Sequence, residues 1–210
     1  MKNIHQISHP LIEHKLGILR DKETKPFQFR MLIDEISSFL LFEATKDLNL
    51  KNKEITTPIA KTTAKELDEK IMICPILRAA LGMLESVFKL IPNASIGFLG
   101  FQRDEETLKA QFYFQKLPKD AKERLAIVID PMFATGSTAI EACNFLKEQG
   151  IKKIKFISIL GTLEGLNNFN HFHSDVDVFI ASIDEGLDKN AYIVPGLGDA
   201  GDRVFNTLDK

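Results

Sequence analysis

Hydrophobic and polar positions follow two different patterns along this chain. Between positions 27 and 48, apolar residues recur at helical spacing, which predicts an amphipathic helix. A polar stretch at 49–54 predicts a turn, and Pro58 interrupts the short β-like stretch that follows it. This N-terminal part of the chain, residues 1–69, is therefore expected to form a helix and a hairpin arm packed against a larger body.

From Lys70 onward, short apolar runs alternate with helical patterns. The runs lie at 71–74, 95–99, 125–129, 154–160 and 176–180. Runs that are apolar on both faces suit parallel strands covered by helices on each side. Helical periodicity occurs at 81–91 and at 139–149, and Gly150 predicts the C-terminal cap of the second helix. We therefore predict an α/β fold with a mainly parallel central sheet and helices on both faces, in which ligands bind at the carboxyl ends of the strands.

Composition and charge narrow the class of protein. The 210 residues are 44% hydrophobic and 27% charged, which is typical of a globular protein and predicts a single domain over 1–210. Lys and Arg total 27 against 29 Asp and Glu, so the net charge of -2 favours neither nucleic acid nor a membrane as a partner. No apolar stretch approaches the ~18 residues that span a bilayer, and residues 1–6 lack the apolar core of a secretory signal. Cys74 and Cys143 form no metal or disulfide framework, and a cytoplasmic protein is expected.

The most informative segment follows the run at 125–129. Asp130 ends that run, and a small, hydroxyl-rich loop through Thr138 leads directly into the next helix. Backbone N–H groups at a helix start, together with the hydroxyls of Thr135, Ser137 and Thr138, form a socket for a phosphate. The loop has no lysine and does not match the nucleotide-triphosphate P-loop. An acid directly before such a socket suggests a sugar phosphate, while an ordinary turn with good capping residues explains the loop alone equally well.

Two more strand ends and the C-terminal tail carry candidate residues. Arg78 lies among small and apolar residues, where its cation either meets an anion or extends to solvent, and the small neighbours favour the anion. Arg103 lies in a polar segment that predicts a hairpin flap or a solvated loop. The tail at 196–201 has the pattern G-x-G-x-x-G, but too few residues follow it for a dinucleotide-binding unit. Its glycines let the backbone approach a planar ligand closely.

Together these segments resemble the uracil phosphoribosyltransferases, within the type I phosphoribosyltransferase family, over nearly the whole chain. The resemblance is carried by Asp130-Pro131-Met132 with Ala134-Thr135-Gly136, by Ile76-Leu77-Arg78-Ala79 and by the tail at 194–202. It implies the type I phosphoribosyltransferase fold with a small hood. It also implies the reaction of uracil with 5-phosphoribosyl-1-diphosphate (PRPP) to give UMP and diphosphate in pyrimidine salvage. The core at 70–210 would then hold both PRPP and, through its C-terminal loop, uracil.

The resemblance also implies roles for individual residues. PRPP would be bound by Arg78, Arg103, Asp130, Pro131, Met132, Phe133, Ala134, Thr135, Gly136, Ser137, Thr138 and Asp199. Uracil would be bound by Ile193, Gly198, Asp199 and Ala200, mainly through backbone groups. The implied catalytic residues are Arg78, Arg103, Asp130 and Asp199. Mg²⁺ is the implied cofactor, held through PRPP and water rather than directly by the protein. A homodimer or higher homo-oligomer is implied as well, with GTP as a candidate effector.

The sequence departs from the family pattern at three places, and two alternative functions stay open. Ala80 stands where glycine is usual, which questions the backbone path of the pyrophosphate loop. Phe133 replaces leucine, and Ser137-Thr138 replaces a Gly-Ser pair. One alternative is a phosphoribosyltransferase for another nucleobase, a purine or orotate, which the uracil-type tail and the single acid disfavour. The other is a pyrimidine-sensing regulator that binds RNA, which the absence of a lysine- or arginine-rich run disfavours.

Overall fold

The computed structural model describes residues 1–103 and 110–207. Its helices are α1 (Pro10–Arg20), α2 (Pro26–Ala44), α3 (Leu84–Leu90), α4 (Ser137–Glu148), α5 (Leu163–Phe172) and α6 (Ala200–Phe205). Its strands are β1 (Ile4–Gln6), β2 (Leu50–Thr56), β3 (Lys61–Leu67), β4 (Ile71–Leu77), β5 (Ser95–Ile96), β6 (Phe98–Arg103), β7 (Ala110–Lys116), β8 (Leu125–Ile129), β9 (Met132–Phe133), β10 (Lys153–Thr162), β11 (Asp177–Asp184), β12 (Gly186–Leu187) and β13 (Ile193–Val194). Short 3₁₀ turns occur at Ala79–Met83 and Ala121–Glu123. Within these ranges, no helix has both the length and the apolar character that crossing a bilayer requires.

The central sheet has the strand order β1-β11-β10-β8-β4-β6-β7, with β5 paired to β4 and β9 paired to β10. Among the described residues, its strand pairings are parallel except that of β6 with β7, an antiparallel hairpin at one edge. A separate antiparallel pair, β12 with β13, forms the small hood near the C-terminus. The predicted α/β fold with a mainly parallel sheet is therefore confirmed.

Alternate side chains of each central strand are buried on opposite faces of the sheet. In β4, Ile71 and Ile73 join a hydrophobic cluster with α1, α2, α3 and α6, whereas Met72 and Cys74 join a second cluster with α4 and α5. Strand β8 divides between the same two clusters. Because both faces are covered, every position of such a strand is apolar, which is why the sequence showed continuous runs rather than a period of two.

The two cysteines lie inside the second of these clusters. Cys74 and Cys143 are both buried and unpaired, and burial raises the pKa of each thiol, to about 12 for Cys143. A thiol that stays protonated is a weak nucleophile. Both residues therefore act in packing, as the apolar patterns around them predicted.

The hairpin arm differs from the sequence-based expectation. The stretch at 49–54, predicted as a turn, contains most of β2, which pairs with β3 around a turn at 57–60. All seven residues of β2 are exposed, so the strand has no apolar face and shows no alternation that would reveal it. The same exposure shows that β2 is not packed against the body of the protein, contrary to the expectation. In the central sheet, at the edge opposite β7, the short strand β1 pairs with β11, which the sequence did not indicate.

Candidate active site

A cleft opens at the carboxyl ends of β8 and β4. One part, of about 280 Å³, lies between Asp130 with residues 132–139 and residues 199–201. Pro131, which the resemblance assigned to PRPP, is buried and is not among the described residues that line the cleft. An adjoining part of about 550 Å³ is lined by Leu77, Arg78, Ala79, Phe101, Tyr113, Asp199 and Gly201. Because Ala79, Asp199 and Gly201 line both parts, the two form one continuous cleft. It lies where open parallel sheets bind their ligands.

The loop that connects β8 to α4 is anchored on the start of α5. Thr162 Oγ1 donates a hydrogen bond to the carbonyl oxygen of Ala134 at 2.8 Å, and Asn168 Nδ2 donates to that of Thr135 at 3.1 Å. Thr162 also caps α5 by accepting from the N–H of Gly165 at 3.0 Å. The loop carbonyls are thus bound to α5, while the first turn of α4 carries N–H groups that have no acceptor within the helix. This arrangement leaves N–H donors available to an anion in the cleft.

The side chain of Phe133 anchors the same loop in the hydrophobic core. Its ring is 1% exposed and packs edge-to-face against Phe156 at 5.1 Å and Phe169 at 5.4 Å between ring centroids. These partners belong to β10 and α5. The departure from leucine therefore places an aromatic ring among aromatic rings, an arrangement that favours edge-to-face contacts.

Asp130 lies at the end of β8 and contributes to the wall of the cleft. Burial raises the pKa of its carboxyl from 3.8 to about 7, and a backbone hydrogen bond from Met132 opposes that rise. The distance from Met132 N to Asp130 Oδ1 is 3.4 Å, so this hydrogen bond is weak. A carboxyl group in this position can accept hydrogen bonds from the hydroxyls of a bound sugar once it is ionised.

Arg78 lies at the rim of the cleft, and its side chain is 63% exposed. Its Nη2 atom is 3.8 Å from Asp202 Oδ1, at the outer limit of an ion pair. Of the two outcomes that the sequence left open for this cation, the structure without ligand has the extension to solvent, although the neighbours of Arg78 in sequence are small or buried. The Leu77–Arg78 peptide bond is cis.

The sequence raised the question whether Ala80, in place of glycine, changes the backbone path of the pyrophosphate loop. The structure shows no conformation at Ala80 that requires glycine. This residue is fully buried within the 3₁₀ turn that follows β4. Among the described residues, Ala191 and Asn206 are the non-glycine positions with a positive φ, so Ala80 does not need the conformational freedom of glycine.

The C-terminal residues divide between the cleft and the core. Asp199 lines both parts of the cleft and caps α6, since its Oδ1 accepts from the N–H of Asp202 at 2.9 Å. Ala200 lines the first part. Ile193 is 5% exposed and its side chain belongs to the hydrophobic core. Gly198 has a φ of 78°. Neither Ile193 nor Gly198 is among the described residues that line the cleft.

The predicted flap is partly described. Residues 104–109 and the side chain of Arg103 lie outside the described residues, so the role predicted for Arg103 stays a prediction. Tyr113 on β7 lines the cleft beside Arg78, which the sequence analysis did not predict. A Cβ atom at Gly100 would lie 2.8 Å from the Tyr113 ring. Gly100 pairs with Phe114, and the register shift beside it leaves Tyr113 as the extra residue of a β-bulge. A glycine within a strand, which often marks a bulge, is the signal that could have identified this position.

Comparisons with known proteins identify the family. A family model described as uracil phosphoribosyltransferase matches residues 6–207. A protein of that name from Campylobacter jejuni is 80% identical over 208 residues, which cover 99% of this chain and 100% of the relative. The solved structure of the AQ2163 protein from Aquifex aeolicus is 37% identical, covers 99% of this chain and 100% of that one, and superposes with a TM-score of 0.94. Adenine phosphoribosyl transferase from Trypanosoma brucei, 15% identical, covers 95% of this chain and 89% of its own with a TM-score of 0.59, and so shares the fold. This chain therefore belongs to the uracil phosphoribosyltransferase family.

Proposed function

We propose that the protein transfers the phosphoribosyl group of PRPP to uracil and releases UMP and diphosphate, a reaction of pyrimidine salvage. As a member of its family, the chain is a pentosyltransferase. In the reaction a bond forms between N1 of uracil and C1 of the ribose, the bond from C1 to the diphosphate oxygen breaks, and the proton of N1 is released to the departing diphosphate or to solvent. The observation that carries the proposal is that Asp130, residues 132–139, Arg78 and Asp199 line one cleft at the strand ends.

Residues 130–138 would bind the ribose 5-phosphate part of PRPP. The phosphate would lie against the N–H groups at the start of α4 and the hydroxyls of Thr135, Ser137 and Thr138, all of which line the cleft. The ribose hydroxyls would donate to Asp130. Because hydrogen bonds to a carboxylate favour its charged form, a bound ribose would lower the pKa of Asp130 from its raised value near 7.

Arg78 and Arg103 would bind the diphosphate group. The side chain of Arg78 is largely exposed and has only the long contact of 3.8 Å to Asp202 among its described ion pairs, so a diphosphate can replace that partner. As the bond to C1 breaks, negative charge grows on the diphosphate, and a nearby guanidinium lowers the energy of that charge. Arg103 is assigned the same role from the family resemblance.

Uracil would bind to the segment of Ile193, Gly198, Asp199 and Ala200. The core position of the Ile193 side chain leaves its backbone as the part that can recognise a base. Gly196 makes this loop compact, since a Cβ atom there would lie 2.0 Å from the carbonyl oxygen of Ile193. Fixed N–H and C=O groups distinguish uracil from cytosine, whose ring-edge donors and acceptors differ, because a mismatched base leaves buried groups unpaired.

Magnesium fits this site as an ion that arrives with the substrate. The described residues contain no group of three His, Cys, Asp or Glu side chains able to hold a metal, while Asp130 and Asp199 line the cleft together. Mg²⁺ usually keeps several waters and binds through phosphate oxygens and one or two carboxylates. When bound, it would supply charge neutralisation at the diphosphate, and Asp199, which lines the cleft, would help to hold it through PRPP and water.

We also propose that residues 1–210 form one domain that works as a homodimer or higher homo-oligomer. Residues of α1 and α2 share one hydrophobic cluster with β4 and β8, which supports a single domain. The arm formed by β2 and β3 carries exposed apolar residues, among them Ile55 and Ile59, and such residues are typical of interfaces. GTP remains a candidate effector.

We assign the reaction to the cytoplasm, because the charges of PRPP and UMP oppose passage through a bilayer.

The test of the function is a direct assay. The protein is incubated with PRPP, Mg²⁺ and one nucleobase at a time, and the nucleoside monophosphate is identified by chromatography. We expect UMP from uracil. Formation of product from hypoxanthine or orotate without UMP would instead support the alternative of another base. If every base fails and the protein binds structured RNA tightly at physiological salt, the regulator becomes the better explanation.

A further inference from the structure

We propose that Arg20 and Arg203 are positioning residues for base recognition, which together hold the backbone of the loop at 193–198 in its binding conformation. The two arginines lie near opposite ends of the chain, and neither lines the cleft among the described residues. The proposal rests on the assignment of uracil to this loop under the proposed function.

Arg20, the last residue of α1, joins the loop through Asp184 at the end of β11. Its Nη1 and Nη2 atoms each lie 2.6 Å from one oxygen of the Asp184 carboxylate. Nη1 also donates to the carbonyl oxygen of Gly196 at 2.8 Å, and the N–H of Gly196 donates to Asp184 Oδ2 at 3.0 Å. Both polar groups of the Gly196 residue are thus bound to this ion pair, and Gly196 is adjacent to the cis Val194–Pro195 unit.

Arg203, on α6, holds the next residue of the loop. Its Nη1 donates to the carbonyl oxygen of Leu197 at 2.8 Å, and its Nη2 donates to that of Asp21 at 2.6 Å. The guanidinium carbon lies 4.3 Å from the centroid of the Phe29 ring on α2. Since Asp21 follows Arg20 directly, both arginines connect consecutive carbonyls of the loop to the same end of α1.

A contribution to stability does not by itself explain why the charges of Arg20 and Asp184 are buried. The Asp184 side chain is 3% exposed and that of Arg20 is 24% exposed. Burial acts to raise the pKa of Asp184, but the hydrogen bonds from Arg20, Gly196 and Ser182 outweigh it, so that the pKa lies below its ordinary value. A buried ion pair is often no more stabilising than an apolar pair of the same size. Its distinctive property is geometric, because two parallel hydrogen bonds fix both orientation and distance.

Because the backbone groups of Gly196 and Leu197 are held by these hydrogen bonds, the backbone that leads into Gly198 and Asp199 has a fixed position. A ligand read by backbone groups binds well only if those groups are already in place, and displacement by about 1 Å can cost much of the binding. The PRPP side of the cleft is held by different contacts, those of Thr162 and Asn168 on α5. Loss of the arginine contacts should therefore affect uracil more than PRPP.

The test uses the double variant Arg20→Gln/Asp184→Asn, which removes both charges together and so leaves no unpaired buried charge. We expect KM for uracil to rise about tenfold or more, with KM for PRPP within about twofold of the parent and a smaller preference for uracil over cytosine. Arg20→Lys, which keeps the charge but loses the two-pronged geometry, should have an intermediate KM for uracil. Hydrogen exchange of the amides at 193–199 should become faster in the double variant and stay unchanged at 134–140.

A matched control is available at the opposite end of the sheet. Arg124 also makes a two-pronged contact with Asp120, through Nε at 2.8 Å and Nη2 at 2.9 Å, and its Nη1 donates to the carbonyl oxygen of Ile71 at 3.2 Å. The variant Arg124→Gln/Asp120→Asn should leave KM for both substrates unchanged.

The proposal is overturned if the Arg20 and Asp184 variant leaves loop exchange and KM for uracil as in the parent, or if KM rises equally for both substrates. Failure of the proposed function is a separate result. In that case the parent forms no UMP, and exchange at 193–199 in the absence of substrates, compared between the parent and the variants Arg20→Gln/Asp184→Asn and Arg203→Gln, still decides whether the two arginines hold the loop.

Discussion

Gly136 and Gly165 lie so close together that a Cβ atom on Gly136 would be 2.6 Å from the carbonyl oxygen of Gly165. A Cβ atom on Gly165 would be 2.0 Å from the carbonyl oxygen of Ala134. Gly136 also has a φ of 79°, a conformation that favours glycine. Both close contacts are with backbone atoms, which cannot move aside as the end of a flexible side chain can. The two glycines therefore allow the loop at 134–136 to rest directly on the start of α5.

We expect Gly165→Ala to displace this loop and weaken PRPP binding. The added methyl group overlaps the Ala134 carbonyl, so the loop must move away from Thr162 and Asn168. The unfolding free energy should fall by about 1–3 kcal/mol, and kcat/KM for PRPP should fall at least about tenfold. Denaturant titration and steady-state kinetics measure the two effects.

The matched control for this substitution is Gly17→Ala. Gly17 lies in α1 and a Cβ atom there would meet nothing within 4 Å. Alanine in an exposed helix should raise stability by up to about 1 kcal/mol, with kinetics unchanged. Equal kinetics for Gly165→Ala and Gly17→Ala would show that the contact with α5 does not position the PRPP loop.

Asp130→Asn should make the protein more stable while removing most of its activity. The pKa of Asp130 is raised from 3.8 to about 7, so the folded protein holds this proton more tightly than the unfolded chain does. The contribution of Asp130 to stability therefore falls as pH rises from about 4 to about 7 and is least favourable above that range. Asparagine cannot ionise, so the variant should gain up to about 4 kcal/mol at pH 8 and little at pH 4. Thermal or denaturant unfolding at both pH values tests this; equal stability of variant and parent at pH 8 contradicts it.

The same raised pKa predicts a pH dependence for PRPP binding. If the ribose hydroxyls donate to the Asp130 carboxylate, only the ionised form binds well. Since the pKa in the free protein is about 7, kcat/KM for PRPP should fall as pH decreases below about 7, by about tenfold per pH unit at the acidic end. A profile that stays flat down to pH 5 would exclude this role for the carboxyl.

Arg78→Ala should reduce activity without affecting the fold. Its side chain is 63% exposed, so its removal leaves no cavity and no buried partner. Hydrogen bonds to a charged group contribute ~1.5–3 kcal/mol, and kcat/KM should therefore fall at least tenfold. Lys46→Ala removes a cation that is 58% exposed and pairs with Glu43 on α2, and serves as the control. Activity of Arg78→Ala within twofold of the parent would remove Arg78 from the PRPP site.

Ile193→Val and Asp199→Asn should separate base recognition from catalysis. Ile193→Val removes one buried methylene and should cost about 0.5–1.5 kcal/mol of stability, while the preference for uracil over cytosine stays the same because the backbone reads the base. Asp199→Asn keeps a good helix cap, yet should damage the reaction with PRPP and Mg²⁺ more than it changes base choice. The values of kcat/KM for both bases decide the question. A lost preference for uracil in Ile193→Val would contradict recognition by the backbone.

The sequence alone was enough to predict the fold class, the family and the main segments of the cleft. The runs at 71–74 and 125–129 are apolar throughout because their strands are covered on both faces, and that pattern is local. The phosphate loop is local in the same sense, since an acid, small hydroxyl residues and a helix start follow one another in a few positions. The sequence predicts a turn where the exposed strand β2 lies, because β2 has no apolar side that would produce a strand pattern.

Tertiary structure alone decided what holds these segments in place. Arg20 and Asp184 are 164 residues apart, and Thr162 lies 28 residues from Ala134, so no spacing rule connects them. The exposure of Arg78 likewise depends on the path of the chain after β4 rather than on its neighbours in sequence. The local sequence pattern indicates which face of a helix or strand is buried. Contacts between distant residues depend instead on how the crossover connections bring the strand ends and α1 together. Those contacts determine the shape of the cleft.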